Sequence, residues 1–218
     1  MTPPIVLFSA GLDSAVLLAD ASARYGGAQP VYVRAGLAWE DVEAQVAHQF
    51  LRRFGSAAHP LVTLTVDMRD VYPASHWAVR GEAPGFDTPD EDVYLEGRNI
   101  VLLSKTAVFA ARAQLSRILI GPLAGNPFPD ASPAFFLAMS ETLSMGLGTP
   151  ITIDAPFLQM DKAEVITLGA RLGVPFELTL SCMQPAGGIH CGRCSKCRER
   201  LHAFGVAGLP DPASYAAP

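Results

Sequence analysis

Charge is the scarcest property of this sequence. Only 17% of its 218 residues are Asp, Glu, Lys or Arg, and their balance is acidic, −5 with the histidines neutral. Broad affinity for nucleic acid requires phosphates to be neutralised by Lys and Arg, so this balance argues against nonspecific binding of DNA or RNA. Long apolar runs are also missing. None reaches the ~18 residues that span a bilayer, and no membrane segment is expected. The start, Met1-Thr2-Pro3-Pro4, lacks the basic region of a signal peptide, which makes the cytoplasm the expected location. Neither G-x-x-x-x-G-K-S/T nor G-x-G-x-x-G occurs, so the commonest phosphate and dinucleotide loops are excluded. No internal repeat or low-complexity run is visible. All four cysteines are confined between positions 182 and 197.

Apolar residues make up 50% of the chain, and its length suits one sizeable domain with a real core. With charge so sparse, small and apolar groups must occupy much of the surface, and a homodimer interface is one use for them.

The stretch that organises the chain is Ile5 to Ser14. Ile5-Val6-Leu7-Phe8 reads as a buried strand, Ser9-Ala10-Gly11-Leu12-Asp13-Ser14 as a tight turn, and the apolar run Ala15–Ala23 as a buried helix. A strand that turns sharply into a helix leaves N–H groups at the helix start without intrahelical partners, and these form a seat for phosphate. Gly11 lets a ligand approach the backbone, and Ser9 and Ser14 add hydroxyl donors. Asp13 would repel a bare phosphate, which points to a nucleotide held with Mg2+. The competing reading is an ordinary corner in which Asp13 or Ser14 caps the helix.

The rest alternates. Strands are expected at 31–33, 61–66, 118–120 and 151–153, and helices at 39–54, 99–113, 133–145 and from Asp161 to near Gly173. In the 39–54 helix Val42, Val46, Phe50, Leu51 and Phe54 share one face. Ser132-Pro133 is an N-cap followed by Pro at the first helical position. Asp161 and Glu164 have the spacing of a capping box. Residues 67–96 break this rhythm with Pro73, Pro84 and Pro89 and the acids Asp87, Asp90, Glu91 and Asp92. A segment of that length is a lid or binding loop, or else a solvated excursion, and the acids are assigned no chemistry. The predicted fold class is therefore α/β: a Rossmann-like, doubly wound, five-stranded parallel sheet. Residues 1–178 form a nucleotide-binding domain and 179–218 a C-terminal metal-binding segment. Ligands of such sheets bind beyond the carboxyl ends of the strands.

Cys182, Cys191, Cys194 and Cys197 have the spacing C-x8-C-x2-C-x2-C, which suits four thiolates around a structural Zn2+. An iron–sulfur cluster would use the same ligands. Disulfides are disfavoured in a cytoplasmic chain. Arg193, Lys196, Arg198 and Arg200 either balance the charge of such a centre or face a nucleotide. His190 and His202 are spare ligand candidates that four cysteines make unnecessary.

The loop at Ser9–Ser14 resembles the S-G-G-x-D-S loop of the ATP-pyrophosphatase (PP-loop) superfamily. The second position of that motif, a glycine in the family, is Ala10 here, so that residue is expected at negative φ if the loop is to be free of strain. Gly97-Arg98-Asn99, Phe128-Pro129-Asp130, Asp161-Lys162-Ala163-Glu164 and the tail from Ser181-Cys182 to Asp211-Pro212 extend the match. Together they resemble the 7-cyano-7-deazaguanine synthase family of queuosine biosynthesis, over nearly the whole chain. The resemblance implies an adenine-nucleotide alpha-hydrolase-like fold and an ATP-dependent C–N ligase that converts 7-carboxy-7-deazaguanine and ammonia to the nitrile through an adenylated carboxylate. It also implies roles. Phe8 to Ser14 would bind ATP, Asp13, Ser14 and Lys162 would act in catalysis with Mg2+, and Arg98, Asn99, Phe128 and Asp130 would hold the substrate.

Departures from the family pattern gather around the expected base pocket. They are Ala35-Gly36-Leu37-Ala38-Trp39 in place of a Tyr-Gly-Gln segment, Phe128 and Ala131 within the Y-P-D-C motif, and Leu180 and Met183 beside the first cysteine. They open one alternative, a divergent paralogue that forms an amide or a conjugate with another amine. A PP-loop enzyme that thiolates tRNA is a second. It would need a sulfur-carrying cysteine or a labile cluster, and a basic RNA face.

Overall fold

A computed structural model describes residues 2–55 and 58–216, the side chain of Asp90 excepted. Five strands, β1 (Ile5–Leu7), β2 (Gln29–Arg34), β3 (Val62–Thr65), β4 (Arg117–Leu119) and β5 (Thr152–Asp154), form one sheet in the order β3-β2-β1-β4-β5. Every pairing is parallel. The helices are α1 (Leu12–Tyr25), α2 (Glu40–Phe54), α3 (Trp77–Arg80), α4 (Arg98–Arg112), α5 (Pro133–Leu147), α6 (Lys162–Arg171) and α7 (Ser195–Val206).

The strands are short, and the central ones are apolar because both faces of the sheet are covered there; at the edge strand β3, exposed Thr63 and Thr65 alternate with Val62 and Leu64. Along β1, Ile5 packs with Leu103 and Phe136 of α4 and α5 on one face. Val6 and Phe8 pack with Leu17, Phe50 and Ile166 of α1, α2 and α6 on the other. The cysteine segment shares this second core through Cys182, Cys197 and Phe204. Gly169 sets how closely α6 lies on α1. A Cβ there would come within 2.6 Å of both Val16 and Phe176, so no larger residue fits without displacing one of them.

Local signals in the sequence are realised at several helix starts. The Ser132 hydroxyl accepts from Phe135 N–H at 3.2 Å, with Pro133 opening α5. Asp161 and Glu164 bond reciprocally, each at 2.8 Å, to begin α6. The first helix differs from expectation. It begins at Leu12, and its N-cap is Gly11 with no side-chain capping bond, so neither Asp13 nor Ser14 acts as the cap. Helix α7 has no counterpart in the expected elements.

The chain order places the switch of direction at β1. Strands β2 and β3 extend the sheet to one side, and β4 and β5 to the other. A crevice opens where the connections diverge, at the carboxyl end of β1. Residues 67–96 fold over this crevice. Trp77 stacks on Trp39 with centroids 5.7 Å apart, and Tyr94 stacks on Phe128 at 4.8 Å. Asp87, Glu91 and Asp92 stay exposed, while the side chain of Asp90 lies outside the described residues.

Candidate functional site

The phosphate-type loop lies at the floor of the crevice. Ser9 N–H bonds to Ser14 Oγ at 3.3 Å, Gly11 N–H to Ser9 Oγ at 3.3 Å, and Ser14 Oγ–H to Gly11 O at 3.0 Å. The two hydroxyls thus brace the loop, and α1 begins without a side-chain cap, its first-turn N–H groups available to an anion. Ala10 corrects the expectation of negative φ, because its φ is +58°. The reason is tertiary. Ala10 is fully buried, and its carbonyl accepts from Leu180 N–H at 2.8 Å, a bond that ties the loop to the start of the cysteine segment. That anchoring holds alanine in the left-handed region against a local cost of about 1–2 kcal/mol. Gly11, the residue free to adopt such angles, sits at an ordinary φ of −62°. Phe8 and Leu12 turn their side chains into the core, being 1% and 2% exposed, so only their backbones can meet a ligand.

Above the loop lies a chain of charges. Lys162, at the start of α6, places Nζ 3.3 Å from Asp13 Oδ2 and also pairs with Glu199 of α7. Glu199 in turn holds Lys196 Nζ at 2.8 Å. Burial works against the Lys162 ammonium, but the two carboxylates outweigh it and push its pKa up. Burial would raise Glu199, yet the two lysines hold it down to about 2. Asp13 goes the other way. Desolvation raises its pKa despite Lys162, and its second oxygen, Oδ1, is buried without a partner. An unsatisfied carboxylate oxygen beside a phosphate loop fits a divalent cation such as Mg2+, which takes oxygen ligands.

The crevice has two chambers. One is lined by Leu7, Val31, Val33 and Ile120 at the strand ends. The other is lined by Trp39, Trp77, Glu43, Met183, Lys162 and Glu199. Ser9, Gly11, Asp13 and Arg98 border both. Gly97, at φ +72°, makes the turn that starts α4 with Arg98. Among the described residues no carboxylate pairs with Arg98, and its Nε is buried without a partner. Asn99 and Asp130 hold each other instead: Asn99 N–H donates to Asp130 Oδ2 at 3.0 Å and Asn99 Nδ2 to Asp130 O at 2.9 Å. The structure therefore brings Arg98, Asn99, Phe128 and Asp130 to one wall, with Arg98 the group left for a ligand. Trp39, Phe128, Leu180 and Met183, four of the departures from the family pattern, line the second chamber.

Sequence reasoning missed Glu43, Tyr32, Tyr94 and Glu199, and left Lys196 between charge balance and a nucleotide contact. Burial pushes the Glu43 carboxyl up to about 7, with Arg98 and a 2.8 Å hydrogen bond from the Tyr32 hydroxyl opposing the rise. A usable signal existed for Glu43. Trp39, Glu43, Val46, Ala47 and Phe50 follow helical spacing, which puts Glu43, with Glu40 beside it, into an otherwise apolar buried stripe. The other missed residues are joined to the site only by long-range folding.

The four cysteines converge. Their sulfurs all lie within 4.8 Å of one another, with measured separations of 3.5, 3.9 and 4.0 Å. A tetrahedron with Zn–S bonds of about 2.3 Å has edges of about 3.8 Å, so the set fits zinc. Cys191 N–H and Gln184 N–H both approach Cys182 Sγ at 3.3 Å, as donors to a thiolate would. His190 is not a ligand. Its Nε2 accepts from Ser181 N–H at 3.1 Å, and burial lowers its pKa to about 4. Arg200 is fully buried against Asp211 at 2.9 Å and Thr179 at 2.7 Å, an internal staple, whereas Lys196 reaches the crevice.

Residues 4–208 match the family model described as queuosine biosynthesis protein QueC. A 7-cyano-7-deazaguanine synthase of Anaeromyxobacter dehalogenans is 33% identical, with 97% of this chain and 95% of that protein aligned. 7-cyano-7-deazaguanine synthase 1 of Sphingopyxis alaskensis is 35% identical over 97% of both. Among solved structures, the U34-tRNA thiolase of Methanococcus maripaludis superposes with a TM-score of 0.51 at 11% identity, over 94% of this chain and 64% of that one. A 4-thiouridine synthetase with bound RNA and ATP gives 0.51 at 16% identity, over 98% of this chain and 47% of that one. At such identities the two structures share the fold alone.

Proposed function

The chain belongs to the queuosine biosynthesis protein QueC family, and from that premise we propose that it converts 7-carboxy-7-deazaguanine to 7-cyano-7-deazaguanine with ATP and ammonia. The observation that carries this reading is the meeting, in one crevice, of an uncapped helix start, an orphaned Asp13 oxygen and an unpaired Arg98.

The chemistry needs those parts. A carboxylate is a poor electrophile, so one of its oxygens attacks the α-phosphorus of ATP, pyrophosphate leaves, and the acyl adenylate carries AMP as a leaving group. Arg98 would hold the carboxylate for that attack. The N–H groups of α1, with Ser9 and Ser14 bracing the loop, would take charge developing on the departing pyrophosphate. Lys162 would neutralise part of the same charge from its place between Asp13 and Glu199. Asp13 would hold Mg2+, which when bound would supply positive charge against the phosphates. Ammonia then displaces AMP to give the amide. A second ATP activates the amide oxygen, and loss of AMP leaves the nitrile. Asn99 and Asp130 keep the wall in place.

Zinc on Cys182, Cys191, Cys194 and Cys197 is the structural part of the proposal. Four protein sulfurs leave it no open position, and it would fix the start of α7, which carries Lys196 and Glu199 into the crevice. A homodimer in the cytoplasm completes the reading. Ile100 and Val108 on α4 and Leu137 and Met145 on α5 expose apolar surface suited to a subunit contact. No helix among the described residues is long and apolar enough to cross a membrane.

The test is AMP and pyrophosphate release from ATP with Mg2+ and ammonium. Release that depends on 7-carboxy-7-deazaguanine supports the proposal; release that depends only on tRNA overturns it in favour of a thiolating enzyme.

A further inference from the structure

Two glutamates of α2 are buried beside the crevice, and their surroundings differ. Glu40 is fully engaged in holding the chain. Its oxygens accept from Ala35 N–H at 2.6 Å and Gly36 N–H at 3.1 Å, and Arg34 lies 3.7 Å away. Glu43, one helical turn on, binds no backbone group and forms no salt bridge among the described residues. It takes a neutral donor, the Tyr32 hydroxyl at 2.8 Å. A carboxylate is an acceptor with about four lone-pair sites, so that one donor leaves it unfilled. Burying it in that condition is unfavourable unless something else completes it.

Its position says what could. Glu43 lines the second chamber together with the stacked Trp39 and Trp77, whose rings lie within 14° of parallel. Arg98 borders the same chamber and is close enough to act on the Glu43 charge. A chamber with a flat aromatic surface on one side, a cation at one point and an acceptor-only group at another suits a planar heterocycle that is anionic at one end. Its other end must offer adjacent N–H donors. We propose that Glu43 is a specificity residue that reads the paired ring N–H and exocyclic amino donors of the acceptor base, while Arg98 holds its carboxylate. The proposal rests on the reaction assigned above and deepens it: the guanine-type edge of the substrate is recognised by α2, a helix outside the motifs quoted above. Tyr32 then acts as a positioning residue that fixes the carboxylate for the base.

The test pairs a substitution with a substrate analogue. Wild type and Glu43→Gln are assayed by pyrophosphate release with 7-carboxy-7-deazaguanine and with its analogue lacking the 2-amino group. In wild type, removing the amino group is expected to raise KM at least tenfold and leave the KM for ATP unchanged. Glu43→Gln is expected to raise KM for the full substrate similarly, but to lose less than about threefold more on the analogue, because the two changes remove the same contact. Equal analogue penalties in the two enzymes would mean that Glu43 and the amino group act independently, and would overturn the proposal. Glu43→Asp, which retains the charge, should keep the discrimination at reduced affinity and guards against a variant that merely folds poorly. If wild type releases no pyrophosphate with either compound, the reaction assignment fails and the proposal with it. Release with the full substrate but indifference to the amino group overturns the role of Glu43 alone.

Discussion

Glu43→Gln should reveal, without any substrate, that this site is organised for ligand at the expense of stability. In the folded chain burial holds the Glu43 carboxyl near 7, against 4.5 when unfolded. The folded state therefore binds more protons than the unfolded state between those two values. Stability must fall as pH rises through that window, and the penalty is complete above 7. Integrating the difference from pH 5.5 to 7.5 gives a loss of about 2 kcal/mol from this one group. Glutamine mimics the protonated acid at every pH and removes the slope. The groups facing Glu43 are Tyr32, Glu40, Arg98 and Trp39. They are common to both proteins, so the difference between wild type and variant isolates Glu43. Urea denaturation at pH 5.5, 6.5 and 7.5 measures it. The variant should gain on wild type by about 2 kcal/mol across the series, on the order of half a molar or more in midpoint for a chain of this size. Parallel stability profiles would refute the reasoning, since they would mean that Glu43 is as solvated in the fold as in the unfolded chain.

Other outcomes follow from particular contacts. Ala10→Gly relieves a left-handed alanine by about 1–2 kcal/mol, but it loses a buried methyl worth ~0.8 kcal/mol and frees the unfolded chain by ~0.4–1 kcal/mol. Stability by denaturation should thus change by no more than about 1 kcal/mol. Ala10→Val should lose more than about 2 kcal/mol, because a β-branched residue is strained at positive φ and overpacks a fully buried position. Lys162→Met leaves Asp13 and Glu199 facing each other without their shared cation, and should lower kcat for pyrophosphate release about 100-fold with little change in KM for the deazaguanine. Cys197→Ser should reduce bound zinc, read by elemental analysis against one metal per chain. It should also expose the tail to protease before the sheet unfolds, because metal binding there is coupled to folding.

Much of the fold was legible because its signals are local. Ser132-Pro133 and the Asp161–Glu164 capping box stop and start helices through contacts three residues long, and the apolar strands of a covered parallel sheet declare themselves by composition. The cysteine spacing was legible for the same reason. Ala10 was misjudged because its φ is decided by Leu180, which lies far along the chain. Helix α7 escaped notice because a segment read for its cysteines shows little amphipathic contrast. The charge chain through Lys162 was only half visible. Asp13 and Lys162 stand in motifs, whereas Lys196 and Glu199 look like ordinary charges of a basic tail until α7 docks beside α6. Glu43 could have been found as a carboxylate, with Glu40 beside it, within a buried helical stripe.

The most direct measurement is the mass of the product formed from 7-carboxy-7-deazaguanine, ATP, Mg2+ and ammonium. The expected result is the nitrile, with two AMP and two pyrophosphate released per molecule formed. Accumulation of the amide would place the enzyme with a truncated or altered-acceptor activity, as the residues of the second chamber permit. No deazaguanine product at all, in a preparation that still hydrolyses ATP, would contradict the assignment made for this crevice.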